Sequence, residues 1–160
     1  MNISNILKPH VMKHPDKTAI IFGERRISYA ELDNMIERAA NSIAKMGFKR
    51  GDVLSLFLPS IPELIIAYLG TVRAGVTVNL VNAMLQKIEV EYILNDCRSK
   101  GVLTDAKRVP IIEAVRSEVD SLTDVILLDE QGRGNYPSFK AMLTDGEDTF
   151  HAPETKGSDL

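Results

Sequence analysis

Two histidines four residues apart, His10 and His14, are the first pair in this sequence whose spacing could do chemistry. On one helical face they could hold a metal ion. Pro9 and Pro15 bracket them, however, and no cysteine or third histidine is close in sequence, so a short amphipathic turn is the simpler reading. Cys97 is the one cysteine and could be a nucleophile. It stands at the expected end of a helix beside Asp96, whose charge disfavours a thiolate, so a structural thiol is expected. Glu89 and Glu91 are two apart on an expected helix and face different ways, which is wrong for an acid/base pair. Asp145, Glu147 and Asp148 lack the alternating ligand order of a calcium loop and read as a solvated cluster.

Glycine spacing offers no complete motif either. Gly132 and Gly134 begin a dinucleotide-type fingerprint, but Pro137 stands where its third glycine belongs. Gly70 and Gly75 have the separation of a phosphate-cradling loop, but Val76 and Thr77 follow in place of Lys and Ser/Thr. Those two glycines are expected to close a helix. There is no G-x-S-x-G elbow. Read from residues alone, the chain has no self-contained active site: no catalytic, cofactor-binding or metal-binding residue is assigned.

The elements are easier to read. The chain has 160 residues, is 44% hydrophobic and 26% charged, and carries a net charge of −3. That suits one soluble domain and gives no basic face for nucleic acid. No apolar run approaches the ~18 residues of a membrane span, and the N-terminus lacks the pattern of a secretory signal. A cytoplasmic protein is expected, with contact at a membrane surface left open.

Thr18 to Phe22 and Arg26 to Ser28 flank a glycine turn and predict a hairpin. Ser28 and Glu31 have capping-box spacing. The helix after them aligns Leu32, Met35, Ile36, Ala39, Ile43 and Met46 on one face and stops at Gly47. Val53 to Leu58 predicts a strand buried on both faces. Ser60 and Glu63 suggest a second capping box, opening a helix from Ile61 to about Ala74. Strands are expected at Val76 to Val81, Gly101 to Thr104 and Val125 to Leu128. Helices are expected at Lys87 to Asp96 (Ile88, Tyr92 and Ile93 inward), Val109 to Val119 and Ser138 to Leu143. Met35, Met46, Met84 and Met142 fall at core-like positions. Gln131 to Asn135 reads as a turn. Alternation of this kind argues for an α/β fold, a mostly parallel sheet with flanking helices preceded by a short hairpin. Residues 1–143 form the expected α/β unit and 144–160 a polar linker.

Several of these segments resemble, in order, the N-terminal region of the adenylate-forming superfamily, which includes acyl-CoA synthetases, luciferases and peptide-synthetase adenylation domains. His14-Pro-Asp-Lys-Thr-Ala-Ile20 is similar to its HPD-x-x-A opening, and Ile27-Ser-Tyr-Ala-Glu-Leu32 to its first core motif. Gly47-Phe-Lys-Arg-Gly-Asp-Val53 resembles G-[VI]-x-x-G-D-x-V, and Leu58-Pro-Ser-Ile-Pro-Glu63 resembles L-x-N-x-x-E. Leu69 to Val76 is similar to the second core motif, and Tyr92 to Thr104 to the stretch around L-x-D-[SC]-x-[AS]-K. A proline common soon after the second core motif is replaced here by Asn79-Leu-Val-Asn-Ala83.

The resemblance implies a fatty-acid–CoA ligase as parent, with an aryl- or amino-acid-activating enzyme, or a non-enzymatic binding module, as alternatives. It implies ATP, Mg²⁺ and CoA for that parent, a fatty acid or other small carboxylate as substrate, and an acyl-adenylate on the way to acyl-CoA, AMP and pyrophosphate. Ser158-Asp-Leu160 resembles the lead into the family's phosphate-binding loop. The fragment itself is therefore expected to be inactive, to lack the remainder of the enzyme, and to self-associate through apolar faces left bare.

Overall fold

The computed structural model describes residues 6–129 and 136–145. The expected turn at 131–135 and most of the expected 144–160 linker lie outside them. Chain order is α1 (Lys8–Lys13), β1 (Thr18–Phe22), β2 (Arg25–Ser28), α2 (Tyr29–Lys45), β3 (Val53–Phe57), α3 (Pro62–Arg73) and β4 (Thr77–Leu80). It continues with α4 (Lys87–Asp96), β5 (Gly101–Thr104), α5 (Val109–Val115), β6 (Asp124–Leu127) and α6 (Phe139–Asp145).

β1 and β2 form an antiparallel hairpin. The other four strands form one parallel sheet in the order β4-β3-β5-β6. The expected α/β fold with a preceding hairpin is therefore the observed one. The sheet carries a core on each face. Leu54, Leu56, Leu103 and Ile126 meet α2, α3 and α6 on one side. Phe57, Val102 and Val125 meet Val90 and Leu94 of α4 and Ile112 and Val115 of α5 on the other. Successive strand residues point to opposite faces, so a run that is apolar at nearly every position must be covered twice.

α2 forms as its sequence requires. Ser28 caps it and the capping box is complete: the Glu31 amide donates to Ser28 Oγ at 3.2 Å, and the Ser28 amide donates to Glu31 Oε2 at 2.8 Å. These bonds hold the Glu31 carboxyl below its ordinary pKa, the Ser28 backbone amide contributing most and Arg25 adding a little. Gly47 ends the helix with φ +85°, a left-handed turn that other residues adopt only with strain.

Five expectations need correction. The second capping box is absent. Pro62 pre-sets the first helical residue, so Ile61 becomes the cap, and no side chain caps the helix. Ser60 is then one place too early, and Glu63 turns to the hairpin and pairs with Arg25. Ile88 and Tyr92 of α4 point outward, 80% and 70% exposed, while Val90 and Leu94 are buried. Two apolar pairs at i, i+4 were available there, and the sheet took the other one. Ile93 does pack on the core, partly buried. Met84 is 79% exposed, whereas Met35, Met46 and Met142 lie against the core. Gly75 closes α3 with φ +76°, but Gly70 is an interior helical residue. A Cβ there would stand 2.6 Å from Ala39 Cβ, so Gly70 is the point where α2 and α3 touch. The helix expected at Val109 to Val119 also divides, with α5 ending at Val115 and a tighter 3₁₀ turn covering Arg116–Glu118.

Candidate functional site

Most polar residues in the motif-like segments serve the scaffold. Arg73 is 2% exposed and reaches from α3 to two carboxylates of α2, Asp33 at 2.6 Å and Glu37 at 2.7 Å. Asp52, at the entry to β3, accepts from the Lys49 amide at 2.8 Å and from Lys100 Nζ at 2.6 Å. Lys100 also donates to the Gly47 carbonyl and sits 4.9 Å from the centroid of the Phe48 ring. Two distant segments are thus fastened at the amino ends of β3 and β5. Partial burial pushes the Asp52 carboxyl up, but the Lys100 hydrogen bond, the Lys49 amide and both lysine charges outweigh it and leave the pKa lowered.

Beneath α4 runs a buried polar chain. Asn79 Nδ2 donates to Ser55 Oγ at 3.0 Å, and Ser55 and Ser99 share a 2.7 Å bond. Ser99 donates to the Gly101 carbonyl at 2.8 Å, which leaves Ser55 as donor to Ser99. Cys97 caps α4 and joins the edge of this chain, with Sγ 3.5 Å from Asn79 Nδ2 and 3.7 Å from the Leu94 carbonyl oxygen. Its partners are the Ser55 hydroxyl, an amide and a carbonyl, and among the described residues these supply no base to activate the thiol.

A parallel sheet with this strand order has a crevice where connections diverge. The chain leaves β3 through α3 toward β4, and leaves β5 through α5 toward β6. Open α/β sheets take ligands at such a point, outside the carboxyl ends of the strands. One strand end and two loops meet at that edge. The Arg108 amide and guanidinium both bond Asp105, and Arg108 Nε donates to the Ala83 carbonyl at 3.0 Å. The guanidinium carbon lies 5.8 Å from the Phe57 ring centroid, and Thr104 Oγ1 donates to the Phe57 carbonyl at 3.2 Å. The end of β3 and the loops after β4 and β5 are therefore tied by one cation whose charge Asp105 balances. Reading the sequence residue by residue missed this couple. Its only local signal is the D-x-x-R spacing before a proline-led helix.

His10 and His14 are not brought together as ligands. His10 stacks on Tyr29, ring centroids 5.3 Å apart, and His14 caps α1. Glu89 bonds the Gln86 amide at 3.1 Å, opening α4, and does not pair with Glu91. Among the described residues no three His, Cys, Asp or Glu side chains converge where a metal could sit. They do not fit Mg²⁺, and no step through that ion is drawn from them. Among the same residues, no helix is long and apolar enough to cross a membrane.

A parallel sheet covered by helices on both faces defines an α/β layer, and comparison with known proteins places it. Residues 7–159 match the model of the family described as AMP-binding enzyme, and the chain belongs to that family. It is 27% identical over 146 residues to 3-hydroxybenzoate–CoA/4-hydroxybenzoate–CoA ligase of Thauera aromatica, covering 91% of this chain and 28% of that protein. It is 29% identical to the long-chain-fatty-acid–CoA ligase FadD13 of Mycobacterium tuberculosis, covering 83% of this chain and 28% of that protein. Among solved structures it superposes on the N-terminal domain of FACL13 from Mycobacterium tuberculosis with a TM-score of 0.87 at 27% identity, covering 99% of this chain and 40% of that one. On the anthranilate–CoA ligase AuaEII the TM-score is 0.91 at 24% identity, covering 99% of this chain and 31% of that one, a likeness of fold. The chain thus spans under a third of the length of the curated relatives it is compared with.

Proposed function

We propose that this chain is the opening α/β layer of a fatty-acid–CoA ligase that joins a fatty acid to CoA through an acyl-adenylate, using ATP and Mg²⁺. The observation that carries the reading is the family match over residues 7–159, in a chain that spans only 28% of a ligase such as the Thauera relative. The polar groups in its motif-like segments already serve as caps, ion pairs and fastenings within the fold. In this reading 1–143 is the structural unit and 144–160 leads toward the phosphate-binding loop. No catalytic, cofactor or metal residue is assigned to the chain, and the complete enzyme works in the cytoplasm. The fatty-acid choice rests on the HPD opening and on FadD13 among the relatives. Those relatives also include aryl, carnitine and acetyl ligases, so chemistry must separate them.

Three measurements test the proposal. The coding sequence after Leu160 is expected to read a Ser/Thr/Gly-rich loop ending in Lys-Gly, and a natural stop codon there overturns the reading. Pyrophosphate exchange by the extended protein is expected with fatty acids, and exchange only with benzoates, carnitine or amino acids refutes the fatty-acid assignment. Calorimetry of the 160-residue chain with ATP and with CoA is expected to show no tight binding. Micromolar ATP affinity contradicts the scaffold role.

A further inference from the structure

The exposed face of α4, with Met84 just ahead of it, is strongly apolar. Met84, Ile88 and Tyr92 are 79%, 80% and 70% exposed. Ile88 and Tyr92, with Leu85, Glu89 and Ile93, line a shallow groove of about 530 Å³. An apolar row at helical spacing that turns away from its own core is the usual mark of a contact surface.

We infer that this face pairs with the same face of a second copy of the chain, two α4 helices crossing antiparallel about a two-fold axis. Such an interface is isologous, so each residue must suit its own symmetry mate. The row meets that condition. Antiparallel α4 helices set Ile88 of one copy at the level of Tyr92 of the other. Lys87 and Glu91 lie on one flank of the helix, and the two-fold brings Lys87 of each copy toward Glu91 of the other. Glu89, on the opposite flank, is already turned back to the Gln86 amide. Ile88 and Tyr92 are 80% and 70% exposed, so pairing them, with Lys87 and Glu91 at the rim, draws on the kind of open surface a specific interface needs, about 1,000 Å² in all.

Sedimentation velocity of the 160-residue chain over rising concentration tests this directly. A reversible dimer is expected. The double variant Ile88→Glu/Tyr92→Glu is expected to lose the dimer while keeping the parent's circular dichroism and, at concentrations where the parent is itself monomeric, its melting temperature, because both side chains are exposed. Met12→Glu, at an exposed apolar site on α1, is expected to leave the dimer intact. Lys87→Glu is expected to loosen it, and Lys87→Glu/Glu91→Lys to restore it. A chain that stays monomeric at every concentration overturns the inference, as does a dimer that survives Ile88→Glu/Tyr92→Glu.

Discussion

Gly70 and Arg73 hold α3 to α2, one by having no side chain and the other by having a long charged one. At Gly70 a methyl group would stand 2.6 Å from Ala39 Cβ and 3.3 Å from the Ala40 amide nitrogen. Alanine improves helix propensity by up to about 1 kcal/mol. Forcing a methyl into a closed contact costs typically 1–3 kcal/mol, so Gly70→Ala is expected to destabilise the fold. Urea unfolding checks this, and Ala39→Gly in the same chain should recover part of the loss. An unchanged midpoint would show that the helices separate freely. Arg73 differs because its partners, Asp33 and Glu37, are 26% and 21% exposed. They can hydrate when the cation is removed, so Arg73→Met should cost about 2 kcal/mol, below the ~3–5 kcal/mol of a fully buried broken pair. Equal stability of Arg73→Met and the parent chain would mean that packing alone joins α2 to α3.

At the scale of elements, the amino ends of β3 and β5 are fastened by Asp52 and Lys100, and that bond depends on pH. The folded Asp52 carboxyl has a lowered pKa. A lowered carboxylate pKa contributes stability that is fully present above the unfolded value of ~3.9 and is lost as pH falls through the folded value. Asp52→Asn should therefore make stability less sensitive to acid and change it only modestly at neutral pH, by ~1 kcal/mol or less for a partly exposed pair. Urea midpoints at a series of acid pH values test this. An equally steep acid limb in Asp52→Asn would place the pH dependence elsewhere. How far elements could be read varied with what fixed them. α2 was legible because its cap, stripe and glycine stop agree. α4 had the right bounds but the wrong face, since Val90/Leu94 and Ile88/Tyr92 both satisfy helical spacing and only the neighbouring sheet decides between them. Ser60 and Glu63 had the letters of a cap, and Pro62 moved the start by one residue. The Arg108–Asp105 couple was invisible for a different reason: its meaning lies in a strand end and two loops that only the strand order brings together.

For the molecule as a whole, one thin sheet serves two cores, and this sets how the chain unfolds. Leu54 and Leu56 face α2 and α3, while Phe57 between Leu56 and Leu58 faces α4 and α5. Neither core can be lost without baring the strands the other rests on. The Asn79–Ser55–Ser99 chain adds to the coupling, since it ties β4, β3 and the turn after α4 to one another on the face that α4 covers. Truncating one face should therefore destabilise both. Leu94, fully buried on the α4 side, offers the test: Leu94→Ala should cost about 2–5 kcal/mol, a large share of the ~5–15 kcal/mol expected for a domain of this kind. The loss should appear equally in amide-exchange protection of α2, on the far side of the sheet, and of α5, beside the mutation. If α5 alone loses protection while α2 keeps the parent's rates, the two layers are separate cooperative units, and the sheet between them transmits nothing.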